Sequence, residues 1–149
     1  MLFRYSSPII YEIVRAPKKC NPEIPPFYNY GNNGKGLECS LELVEGGLYP
    51  LKLVIYGCIY DEPKTYKASL ILESRRIRGI DFEAASRSYI YKIHIPAGWH
   101  ENIIDPNLPD RDGNRHEPLD IDPQDLMDFQ KIIARRWNIM GLYEEEELL

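Results

Sequence analysis

The stretch from Arg75 to Asp105, RRIRGIDFEAASRSYIYKIHIPAGWHENIID, holds two of the three histidines, one of the two tryptophans and four arginines. Histidine moves protons near neutral pH, and arginine binds phosphate or stabilises developing negative charge. His94 and Lys92 fall on one face of an alternating strand, and His100 follows the Pro96-Ala97-Gly98 turn beside Trp99. If residues 77–82 pair with residues 89–95, Arg78 and its neighbours approach both histidines. His94, His100, Arg78 and Lys92 are then the candidate catalytic set. Trp99, Arg75, Arg76, Arg87, Tyr89 and Tyr91 are the candidate binding set. Such groups suit metal-independent cleavage of RNA. They equally suit a solvated sheet face.

Other chemistries fit less well. His94, His100, Glu101, His116 and Glu117 are metal-ligand types within 24 residues, but His-x5-His is not the spacing of a helical zinc motif. Asp110-Arg111-Asp112-Gly113-Asn114 begins like a calcium loop. Its sixth and twelfth positions, however, hold Arg115 and Ile121 instead of glycine and a bidentate glutamate. Gly31–Gly36 reads GNNGKG with no helical pattern after it, so it is weak as a nucleotide loop. The expectation is no metal and no cofactor.

The elements that must position these residues follow from pattern. Leu37–Val44 alternates, with Leu37, Cys39, Leu41 and Leu43 on one face, as a half-buried strand does. Glu45-Gly46-Gly47 signals a hairpin into Tyr49–Tyr60, and Asp61-Glu62-Pro63 signals the next turn. Tyr66–Glu73 and Ile77–Phe82 read as two strands, or as one bent at Ser74-Arg75. Tyr89–Ile95 reads as a further strand after the loop Glu83–Ser88. Asp122 as N-cap and Pro123 at the first helical position open a helix to about Asn138, with Leu126, Phe129, Ile133 and Trp137 in one apolar stripe. At the other end, Ile9–Val14 reads as a short strand. Ala16–Gly36, broken by four prolines, reads as an irregular loop that either packs across the domain through Ile24, Phe27, Tyr28 and Tyr30 or is mobile, with packing the preferred expectation. The fold expected is α+β: an antiparallel sheet of about five or six strands in a meander, with one C-terminal helix packed on one face. Residues 1–149 form one domain. It comprises an N-terminal strand and loop (1–36), a sheet (37–104), a polar loop (105–121), a helix (122–140) and an acidic tail (141–149).

Length and composition bound the function. A chain of 149 residues with 44% hydrophobic and 28% charged residues buries a core without staples. A net charge of −5 disfavours a general nucleic-acid surface while leaving room for a local basic site. Cys20, Cys39 and Cys58 include no CxxC pair, and Cys39 and Cys58, within apolar strand patterns, read as small core residues. The N-terminus lacks the apolar core of a signal peptide, and no run is long enough to cross a membrane. The cytoplasm is the expected compartment.

In layout, the antiparallel sheet and helix across residues 37–138 resemble compact toxin ribonucleases of bacterial toxin–antitoxin loci. The resemblance lies in architecture and residue class, and it implies RNA cleavage by the histidine–arginine set. The competing reading is a non-catalytic protein-interaction module. Eleven tyrosines, an aromatic proline loop and an acidic tail suit it, and an exposed sheet edge could add a strand from a protein partner or a second copy. The interaction module, with an unnamed protein partner, is the preferred expectation, and the toxin-type endoribonuclease is the alternative.

Overall fold

The computed structural model describes residues 3–30, 34–58, 63–88, 94–107 and 114–144. Near the N-terminus it places a helix, α1 (Ser7–Arg15), where the sequence reading expects the strand Ile9–Val14. Pro8 fits the first turn, and Ile10, Ile13 and Val14 recur at helical spacing to form the buried stripe. A segment of six residues with five apolar ones satisfies either period, and the core decides for the helix.

The segment expected to be irregular contains two short strands, β1 (Lys18–Asn21) and β2 (Tyr28–Tyr30). Both run antiparallel to β3 (Gly34–Leu43): β1 lies against Ser40–Leu43 and β2 against Gly34–Gly36. Prolines between them break the ladder without preventing pairing on either side. Ile24, Phe27 and Tyr28 are exposed rather than packed across the domain.

The sheet then follows meander order through β4 (Leu51–Cys58), a 3-10 turn at Pro63–Thr65, β5 (Lys67–Leu72) and β6 (Arg75–Glu83). Glu73 and Ser74 both take positive φ, the primed turn that matches strand twist and joins β5 to β6 as separate strands. Next come a two-stranded ribbon, β7 (Arg87–Ser88) with β8 (His94–Ile95), then β9 (Gly98–Ile104), β10 (Asn114–Pro118), α2 (Leu126–Arg136) and β11 (Ile139–Met140). The order across the nine-stranded sheet is β10-β9-β6-β5-β4-β3-β1-β11, with β2 also on β3. All described pairs are antiparallel except β1 with β11. The fold is therefore α+β, with two helices and more strands than expected among the described residues. The polar loop 105–121 contributes the edge strand β10. Residues 89–93 of the expected strand Tyr89–Ile95 lie outside the described residues. The partners of β6 are β5 and β9, and the described end of that segment, His94–Ile95, pairs with β7.

One face of the sheet carries the core: Leu37, Cys39 and Leu41 of β3, Leu51, Leu53 and Ile55 of β4, and Ala68, Leu70 and Leu72 of β5. The buried residues of α1 and α2 join the same cluster, so both helices cover that face. On the other face Glu38, Ser40 and Glu42 are exposed, and Lys52, Val54, Tyr56, Ser69 and Ile71 are half-buried. The α2 stripe Leu126, Phe129, Ile133 and Trp137 is buried as expected, and Phe129 packs on Trp99 of β9. The helix starts later than Asp122. Asp125 is the cap, its carboxylate accepting the Asp128 N–H at 2.7 Å.

The two helices end at one buried cation. Lys18 is fully buried, and its Nζ donates to the carbonyls of Val14 (2.7 Å), Ala16 (2.8 Å) and Trp137 (2.7 Å). These carbonyls lie at the negative ends of α1 and α2, where a cation is favoured. Burial lowers the Lys18 pKa from 10.5 to about 8. Because the folded value lies below the unfolded one, this group's contribution grows as pH rises from about 8 to about 10.5. Between those values the folded chain has released the proton and the unfolded chain still holds it. Lys18→Met strands three carbonyls while removing a buried charge, and should destabilise the fold by about 2–4 kcal/mol at neutral pH. Urea unfolding of the two proteins across pH 7 to about 10 checks both statements. Equal stability at every pH would remove Lys18 from this role.

Candidate functional site

Strand β9 divides the candidate residues between the two sheet faces. Its side chains alternate, so Trp99 and Glu101 face the helices while His100 and Asn102 face away. Antiparallel pairing sets Asp81 opposite His100, Gly79 opposite Asn102, and His116 of β10 opposite Asn102.

On the helix-free face these residues form one hydrogen-bonded chain. His100 is 1% exposed. Its Nε2 lies 2.6 Å from Asp81 Oδ1, and its Nδ1 lies 3.3 Å from the Gly98 carbonyl. A carbonyl only accepts, so Nδ1 donates. Asp81 is held as the carboxylate, so Nε2 donates too, and the ring is an imidazolium. Asn102 Nδ2 donates to the same Asp81 oxygen at 3.3 Å, which turns Asn102 Oδ1 toward the Nδ1–H of His116. The His100 and His116 rings meet edge to face at 5.5 Å. Arg76 lies 3.8 Å from Asp81 and flat over Gly79, where a Cβ would sit 1.9 Å from its Nη2.

The charges follow from this geometry. Burial alone would lower the His100 pKa, but the Asp81 hydrogen bond and charge, the Gly98 carbonyl and Glu83 outweigh it and raise the pKa. Burial pushes Asp81 up, yet His100, Arg76 and Asn102 together bring it below its ordinary value. The His100 contribution is complete below its unfolded pKa of 6.5 and is lost as pH rises through the higher folded value. The Asp81 contribution is complete above 3.8 and is lost as pH falls through the lower folded value. The stability difference between wild type and His100→Asn should therefore be greatest between about pH 4 and 6.5 and should shrink above that range. Denaturant titrations at several pH values measure it, and a gap that widens toward alkaline pH would contradict the imidazolium assignment.

The helix-side face of β9 holds a second polar set. Glu101, 2% exposed, accepts from Arg136 Nε (3.0 Å) and Nη2 (2.8 Å) on one oxygen. Its other oxygen accepts from the Trp137 indole at 2.8 Å and lies 3.8 Å from Arg78. This carboxylate binds α2 to the sheet.

Toward the start of α2, Trp99 and Phe82 stand opposite each other, with ring centroids 5.6 Å apart at 68°. They line a cleft of about 490 Å³ with Pro63, Lys64, Asp122 and Pro123. Lys64 Nζ lies 5.3 Å over the Phe82 ring. Gln124 donates to the Asp122 carboxylate and backbone carbonyl on the far rim.

The sequence-derived set is thus distributed among several sites. Arg78 and Trp99 lie on the helix side, and His100 lies on the opposite face. A β-bulge at the β5–β6 pairing separates Arg76, opposite Ile71, from Arg78, opposite Leu70. Arg75 pairs with Leu72 and lies over the Phe3 ring. His94 and Arg87 belong to the β7–β8 ribbon, off the main sheet. Lys92, Tyr89 and Tyr91 lie outside the described residues. Asp81, Asn102 and His116 complete the cluster around His100. None of the three belongs to the set read from sequence, which rests on pairing residues 77–82 with residues 89–95, whereas β6 pairs with β9. Among the described residues, no group of three or more His, Cys, Asp or Glu could hold a metal ion. No described helix is long and apolar enough to cross a membrane. Comparison with protein-family models, with curated proteins and with solved structures found no match.

Proposed function

We propose that the protein is a non-catalytic interaction module that captures a protein partner at the Phe82–Trp99 cleft. The observation that carries this reading is the state of His100. A general base needs an available nitrogen within reach of a substrate proton. His100 is almost fully buried, and both its ring nitrogens donate to fixed acceptors. The cleft has what a binding surface needs: an aromatic floor, two prolines, a cation on one rim and a carboxylate on the other. Aromatic-lined clefts of this kind take extended segments carrying proline or aromatic residues, whose low conformational entropy favours binding.

Metal-independent RNA cleavage is the second reading, and the helix-free cluster favours it. Arg76 and His116 are half-buried there beside the Asp81–His100 pair, so His116 would be the base and Arg76 the phosphate ligand.

Purified protein incubated with total RNA should leave it intact. It should also bind selected members of a library of proline-containing peptides, with Phe82→Ala and Lys64→Glu weakening binding about tenfold each. RNA cleavage that disappears in a folded His116→Ala variant would replace the first reading with the second.

A further inference from the structure

We propose that Arg78, Arg115 and Arg136 form a binding site for the phosphate group of a phosphate monoester. The register of the sheet brings them together. Ile103 of β9 pairs with Arg78 of β6 on one side and with Arg115 of β10 on the other. Residues paired across neighbouring strands share a face, so the two arginines flank half-buried Ile103 at two strand spacings, about 10 Å. The next row on this face is Ile80, Glu101 and Glu117. Arg136 reaches that row from the last turn of α2, with Nε and Nη2 on one Glu101 oxygen. Arg78 Nη1 lies 3.8 Å from the other oxygen.

The donors of Arg78 point to an anionic ligand. Its side chain is 12% exposed, yet 3.8 Å is beyond hydrogen-bond reach, and among the described residues its Nε has no partner. A guanidinium carries five N–H donors in one plane, and leaving donors unbonded away from water is costly. Burial lowers the Arg78 pKa, and the nearby charges of Arg115 and Arg136 add to that effect against Glu101 and Glu117. Glu101 is already taken by Arg136 and the Trp137 indole. Glu117 holds Arg115 at 3.1 Å, and both are exposed, so Glu117 can yield to a ligand and turn to solvent. Three guanidinium groups then face one carboxylate, and a dianion balances them. A phosphate monoester is close to dianionic at neutral pH, and its three free oxygens match three planar forks. A diester offers two such oxygens and one charge.

The site goes beyond the cleft reading and shares no residue with the cleft. Titration calorimetry of the full chain with O-phosphoserine at low ionic strength should show saturable binding that weakens as chloride is added. Arg115→Gln should raise the dissociation constant about tenfold. Glu117→Gln should lower it, because Arg115 is then released from its internal partner. Circular dichroism of each variant reports that it is folded. Inorganic phosphate distinguishes the source: equal affinity assigns the site to phosphate itself, and weaker binding assigns it to a phosphorylated molecule. Absence of saturable binding of either probe by the wild type, unchanged affinity in folded Arg115→Gln, or weaker binding in folded Glu117→Gln would each overturn the proposal. Dimethyl phosphate binding as tightly as O-phosphoserine would overturn it in favour of a phosphodiester backbone. Peptide binding at the cleft should be the same in all three proteins.

Discussion

A single buried ammonium governs how this chain closes. Both helices end with their carbonyl groups directed at Lys18 Nζ, one from residues early in the chain and one from Trp137, 119 positions later. A helix end buried without partners is costly, and two such ends meeting would also set like partial charges together. One ammonium with three donors meets both needs. The Lys18 backbone N–H then reaches the Asn138 carbonyl at 2.8 Å, and Asn138 Nδ2 reaches the Arg15 carbonyl at 3.0 Å. The parallel pairing of β1 with β11 follows from that connection, because it fixes the chain just beyond α2 beside the chain just beyond α1.

Trp137 links this junction to the other half of the sheet. Its carbonyl receives Lys18, its indole N–H goes to Glu101, and its ring is fully buried. Glu101 in turn takes both donors of Arg136. The last turn of α2 is thus held at one end of the sheet by a buried cation and at β9 by a buried anion. Apolar burial supplies the driving force for packing α2, and the two ions fix where along the sheet the helix rests. A buried charge whose partner is removed is far costlier than the pair is favourable, so register errors are disfavoured.

The sequence made the middle of the fold legible. Strict alternation in β3 and the apolar stripe of α2 each have one reading, and both are in the structure. The ends were less legible for physical reasons. The six-residue segment Ile9–Val14, apolar except for Glu12, fits a strand or a helix, and burial of Ile10, Ile13 and Val14 in the core decides for the helix. Strand β10 carries polar residues and Pro118, so nothing local marks it as a strand; pairing with β9 makes it one. The candidate site suffered most from register. Arg76 and Arg78 are two apart and would share a face in a regular strand, but the bulge sends them to opposite faces. Lys18 reads as an ordinary surface lysine in sequence, since no pattern marks three carbonyls that converge from distant segments.

The two faces of β9 show why the histidine cluster and the carboxylate clasp behave differently, although they are adjacent in the chain. Glu101 faces the helices, where the buried Trp137 indole, Arg78 and the partly exposed Arg136 surround its two oxygens. His100 faces away from the helices, and its chain of bonds runs outward through Asp81 and Asn102 to half-buried His116 on the edge strand. The Gly98 carbonyl and the Asp81 carboxylate can only accept, so both ring nitrogens of His100 and Asn102 Nδ2 donate, and Asn102 Oδ1 accepts from His116. Titrating His100 therefore changes a bond that bears on β10 as well as on β6. Low dielectric strengthens such a network when every member is satisfied and penalises it sharply when one is lost. The sheet edge is thus tied to β6 through the protonated His100, as the two helix ends are tied to each other through the Lys18 ammonium.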